Sequence, residues 1–148
     1  MKLSRESEYG LVGLVYLARQ RAGTVMAVKA IAAAEALPAM FLAKTFSRLA
    51  RHGILRSYRG RRRGYQLARS AREISVREIL EGIEGPDLFT HCVFWSKSCS
   101  EERPCALHET WKAIRPQARD LASKMTLADC AEDRASHAEV SPVAVPSA

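Results

Sequence analysis

Three predicted helices followed at once by a short pair of strands restrict the fold of this 148-residue chain more than any other sequence feature. Apolar side chains recur at helical spacing over residues 5–20, which predicts a first helix with a broad buried face. A second, alanine-rich helix is predicted over residues 27–35. Pro38 suits the first position of a third helix because its missing N–H would have no partner there, and Gly53 suits the C-terminal end. The second and third helices, joined by a tight turn, form a candidate helix-turn-helix.

The segment after the third helix is typical of a wing. Residues 54–59 and 65–68 are predicted to form two strands around a loop bounded by Gly60 and Gly64. The predicted fold class is therefore mainly α with a small β-hairpin wing, a winged helix-turn-helix domain plus a long dimerisation helix. The wing tip carries arginines that repel one another unless an anionic partner or bulk solvent surrounds them: Arg59, Arg61, Arg62 and Arg63.

Charge is distributed unevenly along the chain. Residues 1–77 hold 16 Lys and Arg against 4 Asp and Glu, whereas the whole chain has a net charge of +7. A basic domain favours phosphate-bearing partners through counterion release, although a basic face is sometimes only a solvated one. Basic residues on both the third helix and the wing favour contact with DNA. The predicted DNA-binding residues are Lys44, Ser47, Arg48, Arg51, Arg59, Arg61, Arg62 and Arg63.

Residues 92–108, CVFWSKSCSEERPCALH, gather three of the four cysteines and one of the four histidines. Thiolates and imidazoles bind zinc, copper or iron-sulfur clusters, so this segment predicts a metal site. Structural zinc sites usually begin with two cysteines two to four residues apart. The gaps between Cys92, Cys99 and Cys105 are wider, which favours a larger cluster over one tetrahedral ion. Redox-active thiols and purely structural cysteines remain alternatives.

The chain has no sequence feature of a secreted or membrane protein. No apolar run follows its N-terminal basic residues, and no uninterrupted apolar stretch of about 18 residues occurs. A cytoplasmic location without a membrane partner is therefore expected. In that reducing compartment clustered cysteines favour metal binding or catalysis over disulfides. No phosphate-cradling glycine loop or nucleophile motif is present, so an enzyme is not predicted.

The second half of the chain contains two further predicted helices. Ser75 and Glu78 have the spacing of a capping box at the start of the first, which Gly85 and Pro86 end. The second covers residues 106–125, where apolar side chains recur at steps of 3 and 4, a coiled-coil-like seam. Pairing with a second copy is favoured over folding back, because so short a chain offers this seam little surface of its own. The seam consists of Trp111, Ile114, Ala118, Leu121 and Met125.

Pro116 lies within the seam and is expected to kink the long helix or interrupt its hydrogen bonds. Cys130 is expected to be a packed thiol near the end of the dimerisation region. From about Glu132 the sequence lacks periodicity and large hydrophobic residues, which predicts disorder. The predicted organisation is a DNA-binding domain over 1–85, a cluster-binding loop over 86–108, a dimerisation helix region over 106–130 and a disordered tail over 131–148.

Several of these motifs together resemble one family. The opening MKLSRESEYGL, the run FSRLARHGILRSYRG that leads into GYQL, and the cysteine loop ending in CALH are similar to the Rrf-type winged helix-turn-helix regulators, over roughly residues 1–130. The resemblance implies a homodimer that binds palindromic promoter DNA. It also implies a [2Fe-2S] or [4Fe-4S] iron-sulfur cluster held by Cys92, Cys99 and Cys105.

The resemblance leaves the fourth cluster ligand open between two residues. In the IscR-like branch a histidine after the third cysteine completes a [2Fe-2S] site, and His108 matches it. In the NsrR-like branch a carboxylate from the first helix of the other subunit caps a [4Fe-4S] cluster, and Glu8 matches that position. A surface histidine and a first-turn acid favoured by the helix dipole are the simpler interpretations of these residues.

The predicted function is a homodimeric transcriptional regulator whose operator affinity is set by a cluster that senses redox state, nitric oxide or iron and cluster status. A zinc-bound or cluster-free winged-helix regulator that uses thiol chemistry is the alternative, and a small redox protein is a weaker one. The sequence departs from the family pattern at four places, one of which is Pro116 in the dimerisation helix. Arginines replace a usually glycine-rich wing tip, Ala36 stands where glycine is frequent, and the gap from Cys92 to Cys99 is one residue longer.

Overall fold

The computed structural model describes residues 3–92 and 101–136. Two short 3-10 turns accompany the helices and strands, at Gly60–Arg62 and Ala71–Glu73. Within the described residues, no helix is both long and apolar enough to cross a membrane. The main elements are α1 (Arg5–Ala18), α2 (Val28–Ala34), α3 (Ala39–Arg51), β1 (Leu55–Tyr58), β2 (Gly64–Leu67), α4 (Val76–Glu84), α5 (His108–Lys124) and α6 (Leu127–Ser136).

Close packing of α1 against α3 forms the centre of the domain. A Cβ added at Gly13 would lie 2.8 Å from Leu42 Cδ1, so glycine permits this approach of the two helices. Phe46 and Leu42 are fully buried on the inner face of α3, as the helical spacing predicted. The largest fully buried apolar side chains are Phe46, Leu14, Ile31, Leu42, Leu49, Ile54, Leu55, Ile74, Ile79 and Leu127.

The predicted wing is confirmed and is attached firmly to the helices. β1 and β2 pair antiparallel, with Leu55 opposite Leu67 and Tyr58 opposite Gly64. Met26 and Tyr65 exchange two backbone hydrogen bonds of 2.8 and 2.9 Å, which adds Met26, two residues before α2, to the edge of the hairpin. The Tyr65 ring also meets Phe46 edge to face, with centroids 5.4 Å apart. The hairpin is therefore held in a fixed position beside α3.

The turn between α2 and α3 contains a strained residue. Ala36 has a φ of 52°, in the left-handed region that non-glycine residues rarely adopt. Leu37 N–H donates to the Ala32 carbonyl at 2.8 Å and closes the turn. Alanine therefore occupies a backbone conformation that favours glycine. Pro38 was predicted to be the first residue of this helix but is its N-cap, so α3 begins one residue later, at Ala39.

The end of the chain differs from the prediction in one respect. The capping box of Ser75 and Glu78 at α4 is confirmed. Residues 127–136, however, form the unpredicted helix α6, so the expectation of disorder from residue 131 was wrong for 131–136. Leu127 is fully buried in the main core, and its N–H donates to the Ile74 carbonyl at 2.8 Å. Cys130 is packed as predicted, but on α6, where it contacts the main core and a second, smaller cluster of buried residues, namely Val76, Leu80, Leu88, Phe89 and Ala122.

Candidate nucleic-acid interface and metal-ligand segment

One exposed face of α3 lines a groove beside the wing. Met40, Ala43 and Ser47 are spaced 3 and 4 residues apart and line this groove, which has a volume of about 660 Å³. Basic residues from α2 and the hairpin complete its walls, namely Lys29, Arg59 and Arg63. The groove is therefore a candidate nucleic-acid interface with an uncharged centre and basic edges. We call the three α3 residues the reading face.

The sequence identified Ser47 but missed Met40 and Ala43, because neither carries charge or a hydrogen-bonding side chain. Their spacing was the signal that would have found them. Positions 40, 43 and 47 lie on the side of α3 opposite the buried Leu42 and Phe46.

Two predicted DNA contacts on α3 instead lie against α1. Lys44 Nζ is 3.1 Å from Glu6 Oε1, and Arg48 Nη1 is 3.4 Å from Glu6 Oε2. Arg48 Nη1 also donates a hydrogen bond to the Ile83 carbonyl on α4. Lys44 keeps 65% of its side chain exposed, whereas Arg48 keeps 32%. Arg48 therefore joins α3 to α1 and α4, and Lys44 still faces solvent.

The remaining basic candidates are exposed. Arg51 is on the last turn of α3, and the wing arginines lie at and around the 3-10 turn Gly60–Arg62. None of the ion pairs found among residues 3–92 and 101–136 uses a wing arginine. The exposed wing arginines are Arg59, Arg61, Arg62 and Arg63. This group of cations is therefore available to an anionic partner.

A second network joins the start of α1 to the end of α4. The Glu84 carboxylate accepts hydrogen bonds from the Ser4 N–H and hydroxyl, each at 2.7 Å, and from the Ser7 hydroxyl at 2.6 Å. Burial raises the pKa of Glu84, but the hydrogen bonds from Ser4 and Ser7 together outweigh it and hold the pKa below its ordinary value. Glu84 is therefore ionised at neutral pH.

The described metal-ligand candidates lie around the N-terminal end of α5. His108 is the first residue of α5 and only 6% exposed. Its backbone N–H donates to the Cys105 carbonyl at 3.0 Å. Cys92 is 8% exposed. The Trp111 indole N–H donates to the carbonyl of His91 at 3.1 Å, which ties the residue before Cys92 to the first turn of α5. Cys105 and His108 thus lie at the N-terminal end of α5, and the residue next to Cys92 is bonded to the first turn of the same helix.

Other candidate ligands are placed less closely. Cys99 lies outside the described residues. Glu8 is exposed on α1. Among residues 3–92 and 101–136, no three His, Cys, Asp or Glu side chains are grouped closely enough to hold a metal ion. A complete ligand set at this place therefore requires Cys99 or a second chain.

Positive charges flank the same end of α5. Lys112 Nζ lies 2.5 Å from the Glu101 carboxylate, and this hydrogen bond and charge hold the pKa of Glu101 below its ordinary value. Arg115 donates to the Thr90 carbonyl at 3.4 Å. Both bonds attach the chain on either side of residues 93–100 to α5. The two cations and the positive end of the helix dipole favour an anionic group there.

The predicted dimerisation seam is largely exposed on α5. Leu121 is 61% exposed and Ile114 is 47% exposed, whereas Trp111 is buried within its own chain. Pro116 is inside α5, which continues through it to Lys124. Part of the seam is therefore an apolar surface that this chain does not cover.

Comparison with known proteins assigns the family. The family model Rrf2, described as an iron-dependent transcriptional regulator, matches residues 3–133. The chain belongs to the Rrf2 family. A helix-turn-helix-type transcriptional regulator of Mycobacterium tuberculosis H37Rv is 34% identical over 131 residues, which covers 88% of this chain and 81% of that protein. The chain is thus a transcriptional regulator of winged-helix fold, and the expectation that it is no enzyme is confirmed by its family.

Solved structures of Rrf2-like proteins resemble the chain as well. The structure of CymR, the global cysteine regulator of Bacillus subtilis, has a TM-score of 0.75 at 27% identity and covers 90% of this chain and 98% of that one. IscR of T. potens has a TM-score of 0.70 at 23% identity and covers 97% of this chain and 94% of that one. The likeness to IscR supports the fold, and the family assignment confirms the resemblance seen in the sequence.

Proposed function

We propose that this Rrf2 regulator is a homodimer whose affinity for operator DNA is set by an iron-sulfur cluster. Cys92, Cys99 and Cys105 hold the cluster, with His108 or Glu8 as the fourth ligand. The observation that carries the proposal is the placement of Cys105, His108 and the residue next to Cys92 at one end of α5. The family description as iron-dependent supports the same conclusion.

The donor set fits a cluster chemically. Thiolates are the ordinary ligands of iron-sulfur clusters, and a single nitrogen or oxygen ligand leaves one iron more open to exchange or to oxidants. Cys92 and His108 are both shielded from water, at 8% and 6% exposure. Shielding and the nearby cations of Lys112 and Arg115 favour retention of an anionic group. When bound, the cluster supplies sensitivity to redox state, nitric oxide or iron supply.

The link from the ligand segment to DNA runs through α4. Residues 85–92 connect the end of α4 to Cys92. The last two residues of α4 bond to the rest of the domain, Ile83 to Arg48 of α3 and Glu84 to Ser4 and Ser7 of α1. A change in the order of residues 92–108 alters the position of α4 and, through Arg48, the orientation of α3.

The second copy pairs along α5. Its exposed apolar side chains give each protomer a surface to bury, and two chains then present two α3 helices to successive major grooves. Wing arginines bind phosphates or enter the minor groove, which fixes position more than sequence.

The proposal that the chain binds DNA is tested by the salt dependence of its DNA affinity. The logarithm of the binding constant is measured against the logarithm of salt concentration for wild type and for the double variant Arg61→Ala, Arg62→Ala. We expect the slope to become shallower by about 2, because each lost phosphate contact removes about one released counterion. The double variant Arg119→Ala, Lys124→Ala on α5 is the control, since it also removes two positive charges but outside the wing. An unchanged slope in the double variant contradicts wing contact.

The cluster half is tested by purifying the full chain without oxygen and measuring its visible spectrum, iron and sulfide. We expect a coloured protein with equal iron and sulfide that loses its colour in Cys99→Ala and retains it in the control Cys130→Ala, which changes a packed thiol on α6. The iron count per dimer distinguishes [2Fe-2S] from [4Fe-4S]. Loss of colour in His108→Ala or in Glu8→Ala identifies the fourth ligand.

A cluster-free regulator that uses thiol chemistry is the second candidate. The likeness to CymR, a global cysteine regulator, at a TM-score of 0.75 and 27% identity favours it. If this second function is correct, the protein stays colourless after anaerobic reconstitution and its DNA affinity still responds to thiol oxidants. Zinc in place of iron in the metal analysis would indicate a zinc-stabilised regulator instead.

A further inference from the structure

We propose that Met40 is a specificity-determining residue that contacts the C5-methyl group of a thymine in the operator. The inference rests on the proposed binding of DNA and deepens it, because it assigns a base to one residue of α3. Met40 lies at the centre of the groove beside the wing, whereas the predicted basic residues Arg59 and Arg63 lie at its edges.

Exposure first singles out Met40. It is 86% exposed, more than any other large hydrophobic residue in the described part of the chain. It lies in the first turn of α3, the part of a recognition helix that meets base edges. An apolar side chain in that position is poorly solvated and gains free energy when a partner covers it.

The surroundings of Met40 then restrict the chemistry of the partner. The groove is edged by Lys29, Arg59 and Arg63, and none of the described residues that line it is acidic. The partner therefore carries negative charge where it meets the groove edges, and an apolar group where it meets Met40 at the groove centre. Duplex DNA satisfies both conditions, since phosphates flank the major groove and thymine alone among its four bases displays a methyl group there.

The rest of the reading face agrees with this chemistry. Ala43 has no hydrogen-bonding group, and Ser47 has only a hydroxyl, which bonds to several bases. Two longer polar side chains of the same helix, Lys44 and Arg48, are paired with Glu6, and Arg51 lies on its last turn, away from Met40 in the first. Met40 is therefore the residue of the reading face with the reach and the chemistry to favour one base.

Phe41 provides a comparison within the same turn. It is 54% exposed, but it lines a different groove, formed with α1 and the end of α4, whose charged residues are Arg5, Glu6, Arg48 and Glu84. The two carboxylates offset the two arginines, so this groove attracts phosphates less than a purely basic one does. Of these two adjacent exposed apolar side chains, only Met40 lies in a groove whose charged residues are all basic.

The test removes one methyl group from the DNA. The full chain, prepared without oxygen, is used to select binding sites from random duplexes, and each thymine of the selected half-site is replaced in turn by uracil. Uracil lacks only the C5-methyl group and keeps the same hydrogen-bonding edge. Dissociation constants are measured for wild type, Met40→Ala and Met40→Leu, with Arg61→Ala as the control for phosphate contact.

We expect wild type to lose about fourfold in affinity at one thymine of each half-site, the effect of one buried methyl group. Met40→Ala should bind thymine and uracil at that position equally, and Met40→Leu should keep the preference because its volume and polarity are similar. Arg61→Ala should weaken binding to both DNAs by the same factor.

A uracil penalty of the same size in Met40→Ala, or no penalty at any thymine, overturns the assignment of Met40 while leaving sequence-specific DNA binding intact. Failure of the wild-type chain to select any sequence overturns the proposed operator binding as well. The two proposals therefore fail in distinguishable ways.

Discussion

The Ser7 hydroxyl lies 2.6 Å from the Glu84 carboxylate and so joins the first turn of α1 to the last residue of α4. Ser7 is only 2% exposed, so this bond is screened from water at the donor. The lowered pKa of Glu84 means that the ionised form of this carboxylate is more stable in the folded chain than in the unfolded chain. Stability from this carboxylate is present above its unfolded pKa and is lost as the pH falls through the lower folded value.

Replacing Ser7 should therefore have a pH-dependent cost. Ser7→Ala removes a hydrogen bond to a charged group and is expected to lower the free energy of unfolding by about 2 kcal/mol at pH 7. The loss should shrink at pH values below the folded pKa of Glu84, where the carboxyl is neutral. Urea unfolding at both pH values measures it, with Ser57→Ala on the exposed face of β1 as the control. Equal losses at both pH values would show that the bond to Glu84 is not the cause.

Glu6 should weaken DNA binding in the wild-type chain. It neutralises Lys44 and Arg48 on the helix that we propose to enter DNA. Glu6→Gln is expected to raise affinity for random duplexes and to steepen the salt slope by about 1, because Lys44 becomes available to a phosphate. The matched control is Asp120→Asn, which makes the same change of charge on α5. An equal response in both variants would reflect net charge alone.

Gly64 should be required for the position of the wing. A Cβ at this residue would lie 2.4 Å from the Met26 carbonyl oxygen, and backbone atoms cannot move aside as a side chain does. Gly64→Ala is expected to lower the free energy of unfolding by about 3 kcal/mol, at the upper end of overpacking effects. Gly82→Ala is the control, since its nearest contact is an ordinary 3.5 Å. It should be neutral or slightly stabilising in thermal unfolding, because alanine favours a helix more than glycine does.

Trp111 should influence retention of the proposed cluster. Trp111→Phe keeps a buried ring but removes the hydrogen bond to the His91 carbonyl, at an expected cost of about 1 kcal/mol. The residue before Cys92 then loses its bond to α5, so iron should be lost faster during dialysis against a chelator. Iron loss at the wild-type rate in a variant of reduced stability would limit Trp111 to a structural role.

Leu121 should hold two chains together. It is 61% exposed on the proposed dimerisation seam, and a charge there would be buried between protomers. Leu121→Glu is expected to convert the dimer into a monomer in sedimentation equilibrium. Arg119→Glu places the same acid two residues away, at an exposed position outside the seam. A dimer that persists in Leu121→Glu contradicts pairing along α5.

Local patterns predicted most of the fold, because they depend on neighbouring residues. The capping box at Ser75 and Glu78 and the glycine-bounded hairpin were both readable from a few positions. Helix α6 was missed because its apolar residues are few and Leu127 is stabilised by the distant α1 core. Its start did carry a signal. Thr126 and Asp129 have the capping-box spacing, and the Thr126 N–H donates to Asp129 at 2.8 Å.

The candidate site was harder to predict, because charge indicates a partner without fixing where a side chain points. Lys44 and Arg48 were correctly placed on the third helix, but their pairing with Glu6 spans about forty residues of sequence and depends on packing. Met40 was overlooked because an apolar residue near a helix start is ordinarily assigned to the core. Its spacing from Ala43 and Ser47 indicated an outward-facing position, and its 86% exposure in the folded chain shows one.

The C-terminal end of helix α5 is bonded to the segment that begins α4. Beyond its last turn, Met125 accepts a hydrogen bond from the Val76 N–H at 2.9 Å, and Leu127 is bonded to Ile74. A helix of 17 residues is about 25 Å long, so a rotation of about 5° at Met125 moves His108 by about 2 Å. A small rotation about the C-terminal end of α5, beside the start of α4, therefore produces a larger displacement at its N-terminal end. Atomic-scale rearrangement at its cysteine end requires only a small change of angle at Met125.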